Sequence, residues 1–230
     1  MTLLSDVIEK QYNIVEGRGN LMKIKSNQKV IFIGDSITED GRFEDAKEIG
    51  DGYVRLIDDY IKACYPSNNI QIVNKGVGGN RVTDLKNRWE EDVIQQAPDW
   101  VSISIGVNDV WRQLDNPSIE QVFPSEFEQV YRQLLSEVKN KTDAQIIIMD
   151  PTIIEEDVNS KGNQLLKEYV NITKQLSNDF QAIHIAMYDS FIKYVKDYPE
   201  RTLTNDGVHM NSLGRMLMAK KWMESMEEEY

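Results

Sequence analysis

The sequence predicts a three-layer α/β sandwich around a parallel five-stranded sheet, and three observations predict it. Short β-rich runs alternate with longer helical ones along the chain. Most of those runs are near-continuously apolar, as strands covered on both faces are. Small polar turns follow the first three runs, and open α/β sheets bind ligands beyond the carboxyl ends of their strands. With right-handed crossovers and a sheet order of 2-1-3-4-5, those three turns converge on one crevice.

Strands are expected at Lys29–Ile33, Ile70–Val73, Trp100–Ile105, Ala144–Met149 and Ala182–Ala186. Between the first two, Tyr53, Leu56, Ile57, Tyr60, Ile61 and Cys64 recur at helical spacing and mark one buried face. Cys64 closes that stripe and reads as a core thiol. A final helix is expected from about Ser212, packed through Leu213, Met216, Ala219, Met223 and Met226. Residues 1–28 form an N-terminal extension, read as a helix plus a loose arm. Residues 29–230 carry no repeat and no Pro/Gly/Ser linker, so one domain is expected.

Composition narrows the function classes. Of the 230 residues, 40% are hydrophobic and 28% charged, enough for both a core and a hydrated surface. Twenty-six basic residues against 38 acidic ones give a formal charge of −12, which disfavours nucleic acid and anionic lipid surfaces as partners. No apolar run is long enough to span a bilayer. A single cysteine excludes an intrachain disulfide and a cysteine-rich zinc site. No secretory apolar region can be drawn through Met1–Asn20, so the expected compartment is the cytoplasm. The acidic stretch Glu39–Asp51 is long for a βα connection, but it lacks calcium-loop spacing and reads as a solvated loop.

Each polar turn has a plain structural reading. Ser36 with Glu39 three residues on fits a capping box, the glycines of 76–79 permit a tight turn, and Asn108 and Asp109 are turn formers. Neither a Walker loop nor a dinucleotide fingerprint is present, since Arg81 stands where the last glycine belongs. Of the two histidines, His184 lies in an apolar strand pattern and reads as structural. His209 lies in the loop Asn205-Asp206-Gly207-Val208-His209. A carboxylate three residues ahead of a histidine can fold back to Nδ1 and leave Nε2 free to take a hydroxyl proton. Taken alone, His209 is an exposed loop residue; with Ser36 upstream it becomes a candidate base.

Gly34-Asp35-Ser36-Ile37, Gly79, Gly106-x-Asn108-Asp109 and Asp206-x-x-His209 occur in this order, and the chain from about Lys29 onward resembles the SGNH hydrolases, the GDSL esterase/lipase family. Ile37 replaces the usual Leu, and Met210 follows His209 where many members carry Pro. The resemblance implies a flavodoxin-like αβα sandwich and a serine esterase needing no metal or organic cofactor. It implies Ser36 as nucleophile, His209 as base and Asp206 as its partner. The oxyanion would be held by the backbone N–H groups of Ser36 and Gly79 and by the Asn108 amide. Asp35 and Asp109 are expected to brace their turns, while Asp35, Trp111 and Arg112 are candidates for the substrate pocket.

The runs Val73–Gly76, Asp84–Asp92 and Gly106–Arg112 further resemble an intracellular acetylxylan esterase-like subgroup. This likeness implies a small acetylated sugar as substrate, such as an acetylated xylo-oligosaccharide. A thioesterase, lysophospholipase or acyltransferase could use the same residues, and a non-catalytic binding module could use the same fold. The four tryptophans and the N-terminal extension permit a homo-oligomer without specifying one.

Overall fold

The computed structural model describes residues 22–227, and the helix and arm expected before residue 22 lie outside the described residues. Five parallel strands form one sheet in the order β2-β1-β3-β4-β5. They are β1 (Lys29–Gly34), β2 (Gln71–Gly76), β3 (Trp100–Ser104), β4 (Gln145–Met149) and β5 (Ile183–Ile185). The helices are α1 (Ser36–Glu39), α2 (Tyr53–Cys64), α3 (Val82–Trp89), α4 (Val107–Asp115), α5 (Pro124–Lys141), α6 (Lys161–Asp179), α7 (Met187–Asp197) and α8 (Ser212–Met226). Each strand falls within a few residues of its expected position. β1 and β3 are almost wholly buried, as strands covered on both faces are, and on β3 Ser102 and Ser104 are buried beside Trp100, Val101 and Ile103.

Register and packing explain how the layers lock. Phe32 on β1 stands opposite Asn74 on β2 and Ser102 on β3. Its ring meets Tyr53 of α2 at 6.0 Å and Trp222 of α8 at 5.1 Å. The Trp222 indole N–H donates to Ser102 Oγ at 3.1 Å, so this deeply buried polar atom keeps a partner. Fully burying side chains of this kind contributes about 1.5–3 kcal/mol each. Helices α2 and α8 pack together, while α3, α5 and α6 contact one another in turn. Among the described residues no helix is long and apolar enough to cross a membrane.

Three expectations need correction. Cys64 is exposed, not a core thiol: the buried face of α2 ends at Ile61, and the last three residues of the helix face solvent. Tyr60, placed on the same stripe, is also exposed. On α8 the buried face runs through Gly214, Met218, Trp222 and Met226, whereas Leu213 and Met216 face solvent. Gly214 sets that phase: a Cβ there would stand 2.2 Å from the Leu203 carbonyl oxygen, so the helix backbone itself forms the contact.

The order of strands fixes where the polar turns meet. β1 lies between β2 and β3, so residues following Gly34, Gly76 and Ser104 emerge side by side at the carboxyl edge. Asn74 ties that edge to the acidic loop, its amide donating to the carbonyls of Thr38 and Ile49 and its oxygen accepting from Gly76 N–H. Asp45 within the loop accepts from the amides of Lys47, Ile49 and Gly50 and pairs with Arg55. This carboxylate is used to order the loop on itself.

Candidate active site

The cap of α1 presents Ser36. Asp35, not Ser36, is the N-cap: its Oδ1 accepts from Ile37 N–H at 3.0 Å and leaves Ser36 as the first helical residue. The expected Ser36–Glu39 capping box is therefore absent, and Glu39 Oε1 accepts instead from Gly41 N–H. With its hydroxyl released from capping, Ser36 makes a different bond. Ser36 Oγ lies 2.9 Å from His209 Nε2.

His209 is held by a loop with several anchors. Thr204 and Met210 form an antiparallel bridge across the loop's base, and Asn205 N–H donates to the His209 carbonyl. Glu156 accepts from the amides of Leu203 and Thr204 and from the Thr204 hydroxyl. Asn211 then caps α8, accepting from the amides of Leu213 and Gly214. Within the loop, Asp206 Oδ2 lies 2.6 Å from His209 Nδ1, while Oδ1 accepts from the amides of Val208 and His209. Partial burial pushes the Asp206 carboxyl up, but these bonds outweigh it and hold the group below its ordinary value. Asp206, His209 and Ser36 thus form a continuous hydrogen-bonded chain.

The second and third turns flank that chain. Gly79 has a φ of +76°, a left-handed conformation that glycine adopts without strain, and no atom would meet a Cβ there within 4 Å. A Cβ on neighbouring Gly78 would stand 3.9 Å from Ser36 Cβ and 3.6 Å from Glu39 Oε2, so the glycine turn borders both side chains. Asn108, buried in the first turn of α4, donates one amide hydrogen to the Asn80 carbonyl at 3.1 Å. An amide nitrogen has two hydrogens, and this bond uses one.

Two buried carboxyls support the crevice. Burial raises Asp35 to about 6, opposed by the Ile37 amide and by the charge of His209. Burial raises Asp109 to about 8, opposed by the Val82 amide and reinforced by the charge of Asp35. Asp109 Oδ1 and Oδ2 lie 3.1 and 3.3 Å from Val82 N, which joins the turn after β3 to the start of α3.

Of the two expected pocket residues after Asp109, only Trp111 faces the histidine. Its ring meets His209 at 5.8 Å in an edge-to-face arrangement. Arg112 lies over the Trp111 ring at 4.6 Å and pairs with Asp115 at 2.9 Å. His184 sits apart, its Nε2 2.7 Å from the buried Asp150 carboxylate, which also accepts from the Thr173 hydroxyl. Both contacts fall on Asp150 Oδ1, and Oδ2 is buried without a hydrogen-bond partner among the described residues; the His184–Asp150 pair stands away from Ser36 and His209, as the structural reading of His184 expects.

Sequence reasoning overlooked Arg88, Asn80, Arg215 and Asp40. Arg88 offered a signal: on α3 it follows Leu85 by three positions and adjoins Trp89, both buried, so a cation stands close to an inward-facing phase. Arg215 and Asp40 offered none, since they meet only through the fold.

Comparison with known proteins supplies the family context. The family model described as the GDSL-like lipase/acylhydrolase family matches residues 32–217. An acetylxylan esterase of Geobacillus stearothermophilus is 38% identical over 216 residues, covering 91% of this chain and 98% of that protein. The crystal structure of that enzyme, Axe2, superposes with a TM-score of 0.82 at 38% identity, over 90% of this chain and 98% of its own. Three further structures of it are catalytic mutants with a serine, an aspartate or a histidine changed to alanine. An α/β hydrolase called LAE5, from the metagenome of Lake Arreo, is 29% identical with a TM-score of 0.83, over 90% of this chain and 98% of its own.

Proposed function

The chain belongs to the GDSL-like lipase/acylhydrolase family and is a carboxylic ester hydrolase, and from that premise we propose that Ser36 carries an acyl group from a small sugar ester to water. The single observation that carries the reading is the chain from Asp206 Oδ2 through His209 to Ser36 Oγ, with contacts of 2.6 and 2.9 Å.

Ser36 Oγ attacks the ester carbonyl as His209 Nε2 takes its proton. Asp206 holds Nδ1 protonated and stabilises the imidazolium that forms. Negative charge then develops on the former carbonyl oxygen. The backbone N–H groups of Ser36 and Gly79 and the second amide hydrogen of Asn108 receive it. His209 returns the proton to the leaving alcohol, then activates a water that hydrolyses the acyl-enzyme. The residues of the site supply every proton transfer in this scheme.

An acetylated xylo-oligosaccharide is the substrate this site suits best. The identity to an acetylxylan esterase supports it. So does the site's openness: the His209 and Asp206 side chains are 41% and 49% exposed, which leaves room for a hydrophilic alcohol. Trp111 stands at the histidine as an apolar wall against a short acyl group.

The test pairs Ser36→Ala with a fluorophosphonate probe. The variant should fold and lose several orders of magnitude in p-nitrophenyl acetate turnover, and the probe should add its mass to the Ser36 peptide. Full turnover in the variant, or labelling elsewhere, would sink the proposal. A panel of acetyl, butyryl and longer esters beside acetylated xylo-oligosaccharides tests the substrate; a preference for long chains removes the sugar and leaves the esterase.

A further inference from the structure

Arg88 is placed to hold together the turns that form the crevice. It projects from the last turn of α3, and its side chain is only 17% exposed. Nη2 donates to the Gly34 carbonyl at 3.0 Å, the peptide that leads into Asp35 and Ser36. Nη1 donates to the Lys75 carbonyl at 2.7 Å, one residue before the glycine turn begins. Nε donates to Asn80 Oδ1 at 2.8 Å. Asn80 closes the turn that presents Gly79, through its own N–H to the Val77 carbonyl, and its carbonyl receives the Asn108 amide.

One planar guanidinium therefore contacts the strand end before Ser36, the strand end before Gly79 and the residue that orients Asn108. Its rigid fork suits that task, because three acceptors in fixed directions hold the three segments at fixed spacing. Asp92 completes the arrangement. It accepts from Arg88 at 2.8 Å and pairs with Lys75 at 3.2 Å from the π-helical segment Glu90–Ile94. A π-type turn is uncommon and frequent at functional sites.

We propose that Arg88 is a positioning residue for the oxyanion donors, setting the Gly79 N–H and, through Asn80, the Asn108 amide at the distance the tetrahedral intermediate requires. The inference rests on the oxyanion assignment made above. Arg88 touches no substrate atom. It acts on the transition state because misplacing such donors by about 1 Å can cost about 10²-fold.

The experiment compares Arg88→Met, Arg88→Lys and Asn80→Ala with wild type and Ser36→Ala on p-nitrophenyl acetate. Arg88→Met should lower kcat by about 10–100-fold while KM stays within about threefold, since donors that act on the intermediate are hardly felt by the bound ester. Arg88→Lys should recover several-fold of that loss. In an Asn108→Ala background Arg88→Met should cost a distinctly smaller factor, because part of what Arg88 positions is gone. Equal factors in the two backgrounds, or a loss confined to KM, would overturn the role. Wild-type kcat in Arg88→Met with Ser36→Ala inactive removes Arg88 alone, whereas an active Ser36→Ala removes the esterase reading beneath it. Should Arg88→Met fail to fold, wild-type kcat in both Arg88→Lys and Asn80→Ala overturns the proposal.

Discussion

The Arg215 guanidinium donates to Asp40 Oδ1 at 2.6 Å across 175 positions of sequence. Asp40 ends the short helix that begins with Ser36, and Arg215 lies in the first turn of the helix that follows His209. The pair thus ties the element that carries Ser36 to the one that follows His209. Burial raises the Asp40 carboxyl above its ordinary value, opposed by Arg215. Arg215→Met should leave that carboxyl without its cation and cost about 1–2 kcal/mol, discounted because both side chains are partly exposed. In a domain of this size the melting temperature should fall by roughly 2–8 °C. Turnover should fall with it, since the Ser36–His209 distance loses a restraint. Unchanged melting and unchanged kcat would make the pair a surface ornament.

Asp206→Asn should be more damaging than its small change in shape suggests. The Asn oxygen can still accept from the amides of Val208 and His209, so the loop should stay folded. Its amide group, however, would face His209 Nδ1 as a donor and favour the tautomer with the proton on Nε2. That imidazole cannot take the Ser36 proton, and kcat should fall by about 10⁴-fold, as in other triads. Circular dichroism and melting should stay near wild type. A loss under tenfold would mean that the carboxylate does not govern the tautomer.

If Asn108 is an oxyanion donor as proposed, Asn108→Ala should lower kcat by about 10²–10³-fold with a small effect on KM. It also strips the Asn80 carbonyl of its partner, so melting should be recorded beside the rates. Asn108→Asp places an acceptor where the anion forms and should be at least as slow as the alanine variant. Equal kcat in wild type and Asn108→Ala would remove the side chain from the hole.

The sheet was legible because apolar runs and polar turns alternate along the chain; the strand order was a premise, the one under which three small turns meet, and the observed order agrees with it. Ser36, Asp206 and His209 were legible only as a set: each has a plain structural reading alone, and their order along the chain with Gly79 and Asn108 is what resembles the family. Cys64 misled because periodicity gives a helix its phase without saying where along its length burial stops, and Met216 misled because the phase itself was misread. On α8 apolar residues occupy both faces, and the deciding residue, Gly214, has no side chain to mark it. Asn80, Asp40 and Arg215 remained hidden because each meets its partner only through the fold, and for Arg88 the helical phase marked an inward-leaning cation without naming what it would bind.

Asp109 should make the protein's stability depend on pH with an unusual sign. Its folded carboxyl titrates at about 8, against a reference value of 3.8. Below pH 3.8 both folded and unfolded chains hold the proton, and the group costs nothing. As pH rises from there to about 8, the unfolded chain has lost the proton while the folded one keeps it. Stability from this group therefore declines with rising pH, at up to about 1.4 kcal/mol per unit, and levels off above 8. Asp35 acts in the same direction between 3.8 and about 6. Asp206, held below its ordinary value, acts the other way: its contribution is present above 3.8 and is lost as pH falls through its lowered value. Asp109→Asn removes the contribution with the widest pH window while keeping an oxygen acceptor for the Val82 amide. Melting curves at pH 5, 6, 7, 8 and 9 should show the variant gaining on wild type up to about pH 8 and then running parallel. Parallel behaviour across the whole range would mean that Asp109 is already ionised in the folded protein at pH 5, and that the Val82 amide offsets the burial of its charge.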